Sequence, residues 1–364
     1  MLADELVRRR MVAQRLWGPR PRRPEEAVRA LLGVQAQDHR PARWAVGQRT
    51  EGATDDSVRR AIADGRIVRT HVLRPTWHLV HRDDARWLLA LTAPRILARM
   101  ASRHRQLGLD GGVRRRALRA IERAVAAGPR TREELGEALA AAGVDPDGQR
   151  LPHLLMVAEL ERVIASGPPR DEAHTYAAFD ERVPPAAPLE PDEALARLAR
   201  RFLAGHGPAT AGDLARWASL TLREARRAVE LGAEGLERAE LDGRVYLFDP
   251  SVDADPPPSP AVELVHVFDE AIVGYGESPD LLTGPESARL LTQPDAFVRV
   301  LLVDGRMAGR WREVRPPRGK GAAGPVEVRV DPSRPLGRAG GRALRAALER
   351  YAAFLGRPVV LASG

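Results

Sequence analysis

RRRALRAIERAVAAGPRTREELGEALAAAG (residues 114–143) and EALARLARRFLAGHGPATAGDLARWASLT (residues 193–221) are two versions of one plan. Each begins with an apolar-periodic helix, passes through Gly-Pro-x-Thr, and opens a second helix on an acidic residue followed by Leu. Thr131 and Thr210 stand where N-caps belong; Glu134 follows Thr131 by three residues to complete a capping box, and Asp213 takes that place in the second copy. Each copy then runs through another helix (LPHLLMVAELE; LREARRAVELG) into a hairpin, RVIASGPPRDEAHTYAAF in one and LERAELDGRVYLFD in the other, the latter turning on Asp242-Gly243. Three helices and a hairpin make a winged helix.

The N-terminal region follows the plan loosely, with helices expected near residues 4–16, 24–32 and 55–64, then Ile67 to Arg69 and a strand HVLRPTWHLV over residues 71–80. The expected fold class is therefore α+β: three tandem winged helices at 1–110, 111–188 and 189–254. A Pro-rich linker, DADPPPSP, then leads into a C-terminal β-rich domain at 255–364. There VELVHVFDEAIVGYGES, AFVRVLLVDGRMAGRWREV and VEVRVDP read as strands with tight turns, before a last helix GRALRAALERYAAFL.

Composition narrows the chemistry. The chain has 364 residues, 44% of them hydrophobic, and no cysteine, which removes disulfides, zinc ribbons and thiol catalysis. Nine scattered histidines suggest no metal site, and no cofactor is expected. No apolar run approaches the roughly 20 residues of a membrane helix, and the N-terminal MLADELVRRRMVAQRL lacks the apolar centre of a secretion signal, so a cytoplasmic, nucleoid-associated protein is expected. The net charge is +8, and Lys320 is the single lysine among 57 basic residues, a bias that a GC-rich genome also produces. A basic excess of this size favours an anionic partner, and guanidinium forks suit phosphate. Arg69 and Arg74 in the first unit, Arg170 in the second hairpin, and Arg315, Arg318 and Lys320 in the loop VRPPRGKGAAG are the expected phosphate contacts. A solvated hairpin tip is the alternative for the loop, and a protein-interaction scaffold the alternative for the tandem units.

One further stretch, GVQAQDHRP at residues 33–41, places Gln35 and Gln37 just where a helical pattern stops. Pro24, Glu25 and Glu26 suit that helix's first turn, Val28, Leu31 and Leu32 form its apolar stripe, and Gly33 reads as its end. Beyond the stop an extended chain puts residues two apart on one face, so both amides would look at one spot; solvated loop glutamines are the plainer reading.

GVQAQD, LRPTWHLV (residues 73–80), DARWLLALTAPR, FDEAIVGY and VDGRMAGRWR, taken in this order along nearly the whole chain, resemble the winged-helix DNA-binding family that includes the AlkZ and YcaQ-like DNA glycosylases. The resemblance implies a C-shaped array of three winged helices closed by the C-terminal domain, with a Gln-x-Gln catalytic motif, here Gln35-Ala36-Gln37, in the concave channel. Two departures stand out: Arg74-Pro75-Thr76 replaces a frequent Arg-Gly-Thr, and FDEAIVGYGESP lacks an Asp-Arg pair after the tyrosine.

The implied substrate is duplex DNA carrying alkylated or crosslinked purines, N7-alkylguanine above all, handled by a monomer in DNA repair or genotoxin self-resistance. A cationic base leaves without being protonated, so the remaining task is to position water and stabilise an oxocarbenium-like sugar, which amide carbonyls can do. Gln37 is expected to position the water with Gln35 as its partner. Arg40 and Arg43 would meet phosphates flanking the lesion, and His78 would line the channel. Asp38 is expected as a turn cap, Asp269 as a channel residue by resemblance, and Trp44 as core. A non-catalytic regulator or scaffold is the rival function.

Overall fold

The computed structural model describes residues 2–170, 173–266, 268–283, 299–314 and 324–362. Helix α1 (Ala3–Ala13) is followed by a first unit: α2 (Pro24–Leu31), β1 (Val34–Gln35), α3 (His39–Gly47), α4 (Asp55–Ala63), β2 (Ile67–His71) and β3 (Trp77–His81). The 25-residue helix α5 (Arg82–Gln106) leads to a second: α6 (Gly111–Ala126), β4 (Arg130–Thr131), α7 (Arg132–Ala141), α8 (Arg150–Leu160), β5 (Ile164–Ser166) and β6 (Thr175–Ala178). After a short α9 (Phe179–Arg182) comes a third: α10 (Pro191–His206), α11 (Ala211–Trp217), α12 (Leu222–Leu231), β7 (Glu237–Leu241) and β8 (Arg244–Phe248).

The repetition extends to strand pairing. A short segment between the first and second helix of each unit joins that unit's hairpin: β1 pairs β3, β4 pairs β6, and Ala209 bridges Leu247 on β8. Local chemistry sets these boundaries. Thr131 with Glu134, and Thr210 with Asp213, form the reciprocal capping boxes read from the sequence, and Asp242 and Gly243 both have positive φ (51° and 71°), as a two-residue hairpin of this hand requires.

Three expectations need correction. Helix α1 does not belong to the first unit: Leu6, Val7, Met11 and Val12 pack with Tyr246, Phe248, Val300 and Leu302 of the third unit and the C-terminal sheet. The unit's second helix is instead α3, whose opening His-Arg-Pro hides an apolar face of Ala42, Ala45 and Val46. HVLRPTWHLV is not one strand but the end of β2, a turn in which Leu73 adopts φ +67°, and β3. And VELVHVFDEAIVGYGES is a strand only over β9 (Val262–Val265); Asp269 then caps a helical turn, α13 (Glu270–Val273), by accepting from the Ala271 N–H at 2.9 Å.

The C-terminal sheet runs in the order β13 (Val359–Leu361), β12 (Val326–Pro332), β11 (Arg306–Val314), β10 (Arg299–Val303) and β9, antiparallel except for β12 with β13. With the C-terminal helix (Gly337–Leu355) it closes on the first unit through a shared core. Trp44 is central to that junction: its indole N–H donates to Leu264 O at 2.7 Å, and its ring meets Tyr351 and Phe354 at 4.8 and 5.2 Å, so it is core, as expected. Among the described residues no helix is long and apolar enough to cross a membrane.

Candidate active site

The Gln-x-Gln segment follows α2 because Leu32 takes a left-handed conformation (φ 62°) and ends the helix. Gly33, read as the stop, serves another purpose: a Cβ there would lie 3.0 Å from Leu73 Cδ1. The chain extends for two residues, and Gln35 pairs with His78 on β3. The Arg74 guanidinium arrives from the β2–β3 turn. One Nη2 donates to Gln35 Oε1 at 3.0 Å and to His78 Nε2 at 3.1 Å, and Nη1 donates to Trp217 O at 3.1 Å. Arginine only donates, so His78 Nε2 is the accepting lone pair and its proton sits on Nδ1, which donates to Thr76 O at 3.0 Å. Burial first, and then the Arg74 charge, pushes the His78 pKa down to about 3. His78 is thus a neutral ring with both nitrogens engaged, its single N–H on Thr76 O and its lone pair on Arg74.

Below Gln35 lies Glu270, fully buried, which sequence reading did not single out. Its Oε1 accepts the Gln35 backbone N–H at 2.8 Å and lies 3.8 Å from Arg74; its Oε2 accepts the Trp217 indole N–H at 2.7 Å and lies 3.4 Å from His206 Nε2. Burial alone would raise its pKa, but the His206 hydrogen bond and the Arg74 charge outweigh it and hold the carboxyl at about 2, so it is ionised. One carboxylate therefore ties together β1 of the first unit, α10 and α11 of the third, and α13. The sequence signal for it was Asp269-Glu270 opening a helical turn, masked by the surrounding β-branched residues.

Asp269 supports this from behind. It is not a channel residue but a buried ion-pair partner: Arg49 Nη2 and Nη1 reach Asp269 Oδ1 and Oδ2 at 2.6 and 2.9 Å, with both side chains fully buried. Arg49 Nε also donates to Gln14 O at 2.8 Å. The pair fixes the start of α13 and, through it, Glu270.

The AlkZ-like DNA glycosylase family model matches residues 28–354, a span that includes Gln35, Arg74, Trp217 and Glu270. The chain belongs to the AlkZ-like DNA glycosylase family. It is 26% identical over 326 residues to an interstrand DNA cross-link repair glycosylase of Streptomyces sahachiroi, covering 79% of this chain and 82% of that one. The solved structure of Streptomyces sahachiroi DNA glycosylase AlkZ superimposes with a TM-score of 0.79 over 99% of both chains at 22% identity, which establishes a common mixed α+β fold.

In this AlkZ-like DNA glycosylase the other expected residues fall into distinct groups. Gln37, Asp38 and Arg40 are exposed; Gln37 makes no side-chain hydrogen bond among the described residues, and Asp38 occupies the N-cap position of α3 without its side chain capping. Arg43 is half-buried and paired with Asp55 at 2.6 Å. Arg69, expected at a phosphate on an open strand, is only 4% exposed: β2 is covered by the second unit, the guanidinium lies 4.1 Å from the Trp77 ring centre, and its Nε donates to Ala36 O at 3.0 Å. Arg170 is exposed but bonded to Glu134 at 2.8 Å and Pro129 O at 3.0 Å. Arg315, Arg318 and Lys320 lie outside the described residues. The structure thus brings Gln35, Arg74 and His78 together, and leaves Gln37 at the exposed end of the same segment.

Proposed function

We propose that this chain hydrolyses the N-glycosidic bond of alkylated purines in duplex DNA, N7-alkylguanine first among them, and that it unhooks interstrand crosslinks of that chemistry. The observation that carries this reading is the contrast between the two glutamines: Gln35 is immobilised by Arg74 and Glu270, while the Gln37 amide is exposed and without a hydrogen-bond partner among the described residues. A fixed partner and a free amide suit the task of orienting one water towards the anomeric carbon. His78 is neutral and its Nε2 occupied, so the cluster offers no general acid from that ring; a base that already carries a positive charge needs none. The Streptomyces sahachiroi relative is named for interstrand DNA cross-link repair, which supports crosslinks as a second substrate.

The three helix-and-hairpin repeats support reading residues 1–110, 111–188 and 189–254 as winged-helix units arrayed in a C along the duplex, with α1 lent to the third, and residues 255–364 as the closing domain. On this reading the protein acts as a monomer, leaves an intact abasic strand, and uses exposed Arg40 and the basic stretch around Lys320 to hold DNA, while Arg74, bonded inside the protein, positions Gln35 instead. The test is incubation with duplex DNA bearing a single N7-methylguanine, or a single N7–N7 crosslink, followed by alkaline cleavage at abasic sites. Strand breaks at the modified guanine after alkali, and none before it, support the reading; persistence of the modified base sinks it.

A further inference from the structure

Gln35 is anchored through its carbonyl, and that fixes which end of its amide is left for a substrate. The Arg74 guanidinium can only donate, so the atom it meets at 3.0 Å is the Gln35 amide oxygen; exchanging oxygen and nitrogen would set N–H against N–H. The Gln35 backbone N–H is spent on Glu270, and the Ala36 N–H donates to Trp77 O at 2.7 Å, so the segment is pinned at two successive peptides. Val34 and Ala36 turn into the core shared with the C-terminal sheet, and alternation along the segment sends the Gln35 side chain to the other face. Its NH2 group has no hydrogen-bond partner among the described residues and is not one of the polar atoms sealed from solvent. The neighbouring groups are already engaged: both nitrogens of His78 with Arg74 and Thr76 O, and both oxygens of Glu270 with the Gln35 N–H and the Trp217 indole. What Gln35 has left to offer is therefore a pair of N–H donors, strengthened by the pull of Arg74 on the carbonyl.

A donor does not serve the sugar. As the C1′–N9 bond lengthens, positive charge gathers on the deoxyribose ring, which carbonyl oxygens stabilise and N–H groups oppose. The electron pair of that bond moves the other way, onto the leaving purine, where it neutralises the charge of the alkylated ring. With N7 alkylated, the ring acceptor nearest to the breaking bond is N3, joined to N9 through C4. We infer that Gln35 is a leaving-group residue, its NH2 donating to N3 of the alkylated purine while Gln37 holds the water. N3 of the cationic base is a poor acceptor and improves only as the electron pair arrives, so this hydrogen bond strengthens in the transition state and favours turnover over binding. The water oxygen bonds to C1′, N9 keeps the pair of the broken bond, and the proton of the water passes to solvent at exposed Gln37, whose neutral amide is too weak a base to retain it. The inference rests on the chain acting as a glycosylase on N7-alkylated purines, and adds to that reading the atom of the base that the protein contacts.

The test compares duplexes carrying N7-methylguanine with duplexes carrying its 3-deaza analogue, in which a C–H replaces N3. Single-turnover excision is measured with saturating full-length protein, and each rate is divided by the uncatalysed loss of the same base. Wild type, Gln35→Met and Gln35→Glu are used, each checked for native thermal unfolding. Gln35→Glu still gives Arg74 an oxygen to hold and removes only the N–H donors, so it carries the comparison if Gln35→Met unfolds early. Wild type should lose about tenfold or more on the 3-deaza base. Both variants should be slower than wild type by a similar factor on N7-methylguanine and lose nothing further on the analogue, with DNA affinity by anisotropy undiminished. Equal 3-deaza penalties in wild type and the variants overturn the inference, as does excision at the wild-type rate by Gln35→Glu. Weaker binding in both variants with an unchanged excision rate assigns the donors to a phosphate and overturns the leaving-group role. Excision of N7-methylguanine by wild type without any dependence on N3 sinks this inference alone, whereas no excision at all sinks the glycosylase reading and the inference with it.

Discussion

The backbone N–H of Gln35 donates to Glu270 Oε1 at 2.8 Å, joining residues 235 positions apart in the chain. The same carboxylate stands beside Arg74, which holds the Gln35 side chain. Removing it leaves a buried guanidinium without its counter-charge and an amide N–H without an acceptor. Glu270→Ala should therefore cost about 3–5 kcal/mol of stability, read as a lowered urea midpoint. Because the two charges compensate each other, Glu270→Ala with Arg74→Met should lose less than the sum of the single variants; simple additivity would show that the pair is not coupled.

Acid should weaken the fold early. His78 and His266 are both held neutral by burial, at about 3 and about 4, against an ordinary value of 6.5. As pH falls below 6.5 the unfolded chain takes up protons that the folded one refuses, so stability is complete above that value and declines towards the folded values, by on the order of 1 kcal/mol per histidine over the first pH unit. Glu270, with its folded value near 2, adds a further loss between about pH 4.5 and 2. Thermal unfolding from pH 8 to 4.5 should show a falling midpoint below about 6.5. A midpoint that is flat to pH 5 contradicts this account of the buried rings.

Much of the architecture was legible because its determinants are local. The capping residues Thr131 and Thr210 and the Asp242-Gly243 turn specify their own geometry within four residues, and the structure has them as read. Helix α3 escaped notice because His39-Arg40-Pro41 looks like a turn, although Pro is at home in a first helical turn. The candidate site was half legible. Gln35 and Arg74 stood out as residue types, but their meeting depends on a turn at Leu73 that divides what reads as one strand. His71 and His78 stand on two paired strands and point apart, His71 towards Glu159 and His78 towards Arg74. Glu270 and Trp217 could not be joined to Gln35 from sequence, because only the closure of the C-terminal domain on the first and third units brings them together.

DNA binding should be dominated by phosphate contacts. Each phosphate neutralised contributes about −0.9 to the slope of log affinity against log salt, so a steep slope and little dependence on base sequence are expected in an anisotropy titration. Strong preference for one operator-like sequence at physiological salt would favour a regulator.

The sequence offers little for a Schiff-base mechanism. The single lysine is Lys320, and the guanidinium of arginine is no nucleophile. Borohydride added during turnover should trap no protein–DNA adduct. An adduct lost in Lys320→Arg would replace the water mechanism with lysine catalysis, and one that persists would point to the N-terminal amine.

The central claim is that the free Gln37 amide positions the attacking water while Gln35 is held as its partner. Single-turnover excision of N7-methylguanine from duplex DNA, measured with saturating enzyme for wild type and Gln37→Ala, tests it most directly. The account predicts a rate at least tenfold lower in Gln37→Ala, the loss of roughly 1.4 kcal/mol or more of transition-state stabilisation, with DNA affinity little changed. An unchanged excision rate in Gln37→Ala would contradict it.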